Sequence, residues 1–152
     1  MGSPGWGSYG VLGARTFDDT TEEEFFLGLA IPTGRKSTSD IELLIPFYNT
    51  TVQVGTNACR WGVEYATSDV STDYDSLSST TVEENVALDN NQSARVLKES
   101  SITLAYNDGN NPLSKKYLFM RIYREAADVG DTMTGDAGVP NATLEYTADD
   151  LG

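Results

Sequence analysis

The stretch KKYLFMRIYREAADVGDTMTGDAGVPNATLEY, from Lys115 to Tyr146, sets the narrowest limits on what this chain can fold into. Tyr117, Phe119 and Tyr123 alternate there with Leu118, Met120, Ile122 and Arg124, which is the two-residue period of a pleated strand. A loop rich in Gly and Asp follows, and a last alternating segment ends at Tyr146. This is the grammar of antiparallel β structure.

The same grammar recurs along the chain. Val11–Phe17 and Glu24–Ile31 read as strands, the second with Phe25, Leu27, Leu29 and Ile31 on one face and Pro32-Thr33-Gly34 as its stop. Asp40–Tyr48 puts Ile41, Leu43, Ile45 and Phe47 on one face, and Pro46 on the other argues for an edge strand or a bulge. Ala58–Ala66 alternates Cys59, Trp61, Val63 and Tyr65 with Arg60, Gly62, Glu64 and Ala66, one face buried and one wet. Thr81–Leu88, Ala94–Tyr106 with a bulge near Glu99, Tyr117–Arg124 and Ala142–Thr147 complete the set. Residues 67–80, almost wholly Ser, Thr, Asp and Tyr, read as a surface loop able to carry recognition.

Strands of this number without a helix or repeat predict an all-β protein, an antiparallel jelly-roll β-sandwich of about eight strands, with a Greek-key sandwich of immunoglobulin type as the alternative. Residues 11–152 form its single domain, a size ordinary for one core. Residues 1–10 hold four glycines and a proline around Trp6 and Tyr9 and read as a flexible N-terminal arm. Its two aromatic rings are candidate anchors on a neighbouring subunit.

Charge and composition close off several functions. Ten basic against 23 acidic residues give a formal net charge of −13, so the surface repels nucleic-acid backbones and anionic lipid headgroups. No apolar run is long enough for a membrane span, and the N-terminus lacks the basic start and apolar core of a signal peptide. The chain reads as soluble and made in the cytoplasm. Cys59 is the single cysteine, which leaves no disulfide within the chain.

Histidine is absent, which removes the usual general base, the commonest zinc ligand and the middle member of a serine triad. No phosphate-binding glycine loop is present. Paired carboxylates would suffice for glycoside hydrolysis, yet nothing singles out two of the 23 acids, and no enzymatic activity is expected. Two loops, one with Asp69, Asp73 and Asp75 and one with Asp128, Asp131 and Asp136, offer oxygen ligands suited to calcium. Neither has an EF-hand spacing, and no cofactor or metal is assigned.

CRWGVEYA (Cys59–Ala66) and LFMRIYREAADVGDTMTGDAGVPNATLEY (Leu118–Tyr146) resemble small jelly-roll accessory proteins of tailed bacteriophages. The likeness is carried by Trp61-Gly62 in a central strand, Arg121 with Arg124, Asp131-Thr132, and Glu145-Tyr146 at the end of the last strand. It implies a virion protein, either a head decoration (cement) protein or the host-contacting head of a tail fibre. A chain starting at Met1 and stopping soon after its last strand leaves no room for a fibre shaft, which favours the cement reading. The resemblance then implies a homotrimer bound to the lattice of the major capsid protein on the outer capsid surface, stabilising the assembled shell. The alternative is a tail-fibre module recognising host surface glycan. A free carbohydrate-binding module and an enzyme remain as further possibilities. Phe119 and Tyr123, which share one face of the long strand, join Trp6 and Tyr9 as the expected partner-binding residues.

Overall fold

A computed structural model of the chain describes residues 5–9 and 12–149, with side chains from Ala14 onward. Among these residues ten strands form two antiparallel sheets. One sheet runs β1 (Gly5–Tyr9), β2 (Leu12–Phe17), β9 (Ala137–Val139), β4 (Ile41–Asn49), β10 (Thr143–Tyr146), with β7 (Leu97–Leu104) paired along the other side of β4. The second runs β3 (Glu23–Ala30), β8 (Tyr117–Arg124), β5 (Ala58–Ser68), β6 (Thr80–Ala87). The only helical turn among the described residues is a 3-10 turn at Tyr74–Ser76.

Alternation converts directly into layers. Ile41, Leu43, Ile45 and Phe47 of β4 face Trp61, Val63 and Tyr65 of β5 and Leu118, Met120 and Ile122 of β8, all at most 2% exposed. Trp61 sits at the centre, its ring 5.1 Å from that of Phe17 edge-on and 5.5 Å from that of Phe47. Burying each such side chain contributes about 1.5–3 kcal/mol, which makes this apolar layer the main source of stability.

The strands differ from expectation in four places. Gly5–Tyr9, read as part of a flexible arm, pairs along its length with β2 as strand β1. β4 is central rather than an edge: β10 covers Ile41–Leu44 and β9 covers Tyr48 and Asn49 on one side, while β7 runs along the other. Ile45–Phe47 therefore have a neighbour on one side only, and Pro46 falls in that gap, where a missing N–H is tolerated. No bulge occurs near Glu99, which pairs with Pro46 in unbroken register. β9 was hidden in the sequence because Ala-Gly-Val is too short to show a period.

Two glycines serve the same device in different sheets. A Cβ on Gly62 would lie 2.3 Å from the Tyr123 ring, and one on Gly138 2.2 Å from the Tyr48 ring. In each case the tyrosine is the cross-strand partner of the glycine. The ring folds down over the bare backbone and restores the packing that the glycine lacks.

Candidate functional site

The outer face of the second sheet holds the candidate site. Down β8 the outward row is Tyr117, Phe119, Arg121 and Tyr123, flanked in register by Ala30, Gly28, Phe26 and Glu24 of β3 and by Ser68, Ala66, Glu64 and Gly62 of β5. Phe119 thus stands between Gly28 and Ala66, and its ring leans over the bare backbone of Gly28, where a Cβ would lie 3.2 Å from it. The chain from Asp69 to Ser79 then arches over, and Tyr74 meets Phe119 edge-on at 5.2 Å. Together these residues bound a groove of about 320 Å³, walled by Phe26, Tyr74 and Phe119 and floored by Glu64, Ser79 and Arg121.

The arch is held at both ends. Lys115 Nζ pairs with Asp69 at 3.0 Å, the Lys116 N–H donates to the same carboxylate, and Ser79 donates its hydroxyl to Glu64. Asp73 starts the 3-10 turn by accepting from the Asp75 N–H. Tyr74, 65% exposed, is thereby offered to solvent at a fixed height.

The floor is electrostatically lopsided. Arg121 pairs with Glu22 at 3.3 Å, Glu24 at 2.6 Å and Glu64 at 2.9 Å, and these carboxylates keep its pKa above the ordinary value despite burial. Arg60 on β5 has a parallel arrangement with Glu83, with Glu125 at 2.6 Å and with Asp128 at 3.7 Å. Burial, with Glu83 nearby, raises the pKa of Glu125. One guanidinium cannot saturate three carboxylates, so oxygen lone pairs remain for hydroxyl donors.

The expected partner residues divide. Phe119 and Tyr123 do share this outer face, and Phe119 lines the groove. Tyr123 is only 2% exposed, pressed onto Gly62 beneath the Arg121 guanidinium 4.5 Å away, and its ring presents no surface to a ligand. The backbone of Trp6 and Tyr9 lies in β1, and their side chains fall outside the described residues. Phe26 was missed as a site residue, although it breaks the apolar alternation of β3 by following Phe25.

The motifs behind the phage resemblance do structural work. Arg124 is fully buried, and its guanidinium forks onto Asp131 with two hydrogen bonds of 2.9 Å. The same group donates to the carbonyls of Phe17, Asp18, Met133 and Gly135. Asp131 also accepts from the Arg60 N–H, and Thr132 exchanges two bonds with Ala58. The Arg-x-x-Arg strand and the Asp-Thr loop thus fasten the connection after β8 to β5 and β2.

The acidic loops do not converge as their sequence suggested. Asp131 is committed to Arg124, and Asp128 accepts from the Gly130 N–H. Asp136 instead meets Asp18 and Asp19, their oxygens within 4.8 Å of one another. Burial, followed by these two neighbours, raises the Asp136 pKa, while hydrogen bonds from Thr20 lower that of Asp18.

No family of known proteins matches the chain by sequence model, and no curated protein matches it. Among solved structures it is similar to CBM28, a carbohydrate-binding module specific for non-crystalline cellulose. The TM-score is 0.52 at 12% identity, over 97% of this chain and 84% of that one. At this identity the likeness establishes the jelly-roll fold. Weaker likenesses are to infectious bursal disease virus, the Gt strain at TM-score 0.32 and 11% identity and the VP2 subviral particle at 0.34 and 11%. The chain covers only 38% and 37% of those chains against 98% and 95% of itself, a similarity too loose to bear on function.

Proposed function

We propose that this protein is a non-catalytic β-sandwich adhesion module that binds carbohydrate in the groove on its second sheet, as the receptor-contacting part of a phage particle. The observation that carries the reading is the grouping of three aromatic rings, Phe26, Tyr74 and Phe119, around Arg121 and the Glu64 carboxylate in one groove. A sugar ring has an apolar face of C–H groups and an edge of hydroxyls. Aromatic walls suit the first, and carboxylate acceptors suit the second. The specificity of the CBM28 neighbour for non-crystalline cellulose supports glucan chains as the first ligands to try.

The test is calorimetric titration of the protein with soluble β-glucan oligosaccharides and with surface polysaccharide of candidate hosts. Phe119→Ala and Tyr74→Ala should each weaken binding roughly tenfold, since a stacked ring contributes about 1–1.5 kcal/mol. Absence of binding to every glycan, or equal affinity of both variants and the parent, overturns the reading.

Head decoration, as a trimer on a capsid lattice, is the second reading. What favours it is the outer face of the other sheet, where Glu145 lies directly opposite Glu42 beside the exposed Asp40. Like charges facing each other across strands cost stability, and a basic rim on a shell would relieve that cost. Co-purification with heads in lattice copy number is its test; absence from purified heads eliminates it.

A further inference from the structure

We infer that β3 is a self-pairing edge through which two copies of this chain join their four-stranded sheets into one sheet of twice the width. The pairing uses Phe26, Leu27 and Gly28, which also line the groove, so a second copy and a groove ligand compete for this strand, and the mass of the ligand-free protein tests the pairing by itself. It starts from how differently the sheet's two edges are built.

β6, at one edge, carries Glu83, Glu84 and Asn85 in its middle, all exposed, which is how proteins blunt an open strand. β3, at the other, carries Phe26-Leu27-Gly28 in its middle. Phe26 is 69% exposed on the outer face, and Leu27, on the core side of the same strand, is still 38% exposed. Alternation therefore fails to hide Leu27 on this strand. An eight-residue strand with apolar groups bare on both faces, and with one side of its backbone lacking a partner strand among the described residues, is a template for another strand.

The ends of the strand select a second copy as that partner. Self-pairing about a two-fold axis is necessarily antiparallel, so the start of one β3 lies beside the end of the other. The start carries Glu22, Glu23 and Glu24 in succession, and because Glu22 and Glu24 share the single charge of Arg121 this end stays net negative. Next to the end stands exposed Lys116, whose carbonyl accepts from the Ile31 N–H at 2.8 Å, one residue beyond the strand. Two-fold pairing therefore sets an acidic end against a basic corner twice. At the centre, Phe26 and Leu27 of each copy cover those of the other. In a parallel arrangement the acidic ends would collide.

Light scattering of the full chain between about 1 µM and 1 mM, a range spanning weak and strong dimers, tests this. Expected is a mass twice the 16.5 kDa of one chain at the upper end. Leu27→Lys, which places a charge in the centre of the edge, should raise the dimer dissociation constant at least tenfold. A parent monomeric throughout, a mass of three chains, or a folded Leu27→Lys protein that dimerises unchanged overturns the inference. Should that variant not fold, amide exchange on the parent decides: protection within Phe25–Leu29 must rise with protein concentration, and concentration-independent exchange refutes the pairing.

Discussion

Arg124 shows how one residue can be read correctly by period and still be misjudged. Alternation set it on the opposite face from Arg121, and the structure agrees: Arg121 lies outside and Arg124 in the core. What the period could not show is that Asp131, seven residues on, returns to neutralise it, because the intervening loop has no regular geometry. Burial opposes the charge on Arg124, and Asp131 with the surrounding oxygens more than offsets it, raising the arginine's pKa. Replacing Arg124 by Met strands a carboxylate that is 1% exposed, so urea denaturation should report a loss of about 3–5 kcal/mol. The double variant Arg124→Met, Asp131→Leu should regain much of that loss, since it removes both charges. A single-variant cost below about 1 kcal/mol would show that the pair does not organise the loop.

At the scale of elements, the strands were legible wherever period two runs for six residues or more, as in β4, β5 and β8. Three elements were not. β9 has three residues, β1 lacks apolar alternation, and the arch from Asp69 to Ser79 is organised by contacts distant in sequence, to Lys115, Phe119 and Glu64. Part of the candidate site was therefore visible: Phe119 by its place on the strand, and residues 67–80 as a surface loop by their composition, though not the arch they form over Phe119. Tyr123 was misjudged because its outward direction was legible while the bare backbone of Gly62 beneath it was not. The arch also supplies a test separate from the rings themselves. Asp69→Ala removes the anchor to Lys115 and to the Lys116 N–H, both at the surface. Melting temperature should shift by no more than about 1–2 °C, because exposed pairs contribute little. Glycan affinity should fall severalfold as Tyr74 loses its fixed height over Phe119. Undiminished affinity would mean that the arch takes no part in binding.

The whole molecule should be most stable on the acid side of neutrality, and the sign follows from which carboxylates are perturbed in which direction. Asp136 and Glu125 have pKa values raised by burial, then by neighbouring acids in the case of Asp136. The folded state therefore binds their protons more tightly than the unfolded chain does, and stability grows as pH falls from neutrality through their folded pKa values. Asp18, Asp69 and Asp108 are lowered, chiefly by hydrogen bonds from Thr20, Lys115 and the Asn111 N–H respectively. Their contribution is complete above the unfolded value of 3.8 and is lost as pH falls further. A formal charge of −13 adds self-repulsion that acid also relieves. The melting temperature should thus rise from pH 7 to about pH 5 and drop below about pH 3.5, where the lowered aspartates are largely protonated in the unfolded state and still ionised in the folded one. Asp136→Asn removes one of the two raised groups while keeping an acceptor beside Asp18 and Asp19. It should raise the melting temperature at pH 7 by about 1–3 °C and flatten the climb toward pH 5, with no gain at pH 3.5. A maximum at or above pH 7 in the parent, or an Asp136→Asn gain that persists unchanged into acid, would show that the cluster of Asp18, Asp19 and Asp136 carries no such strain.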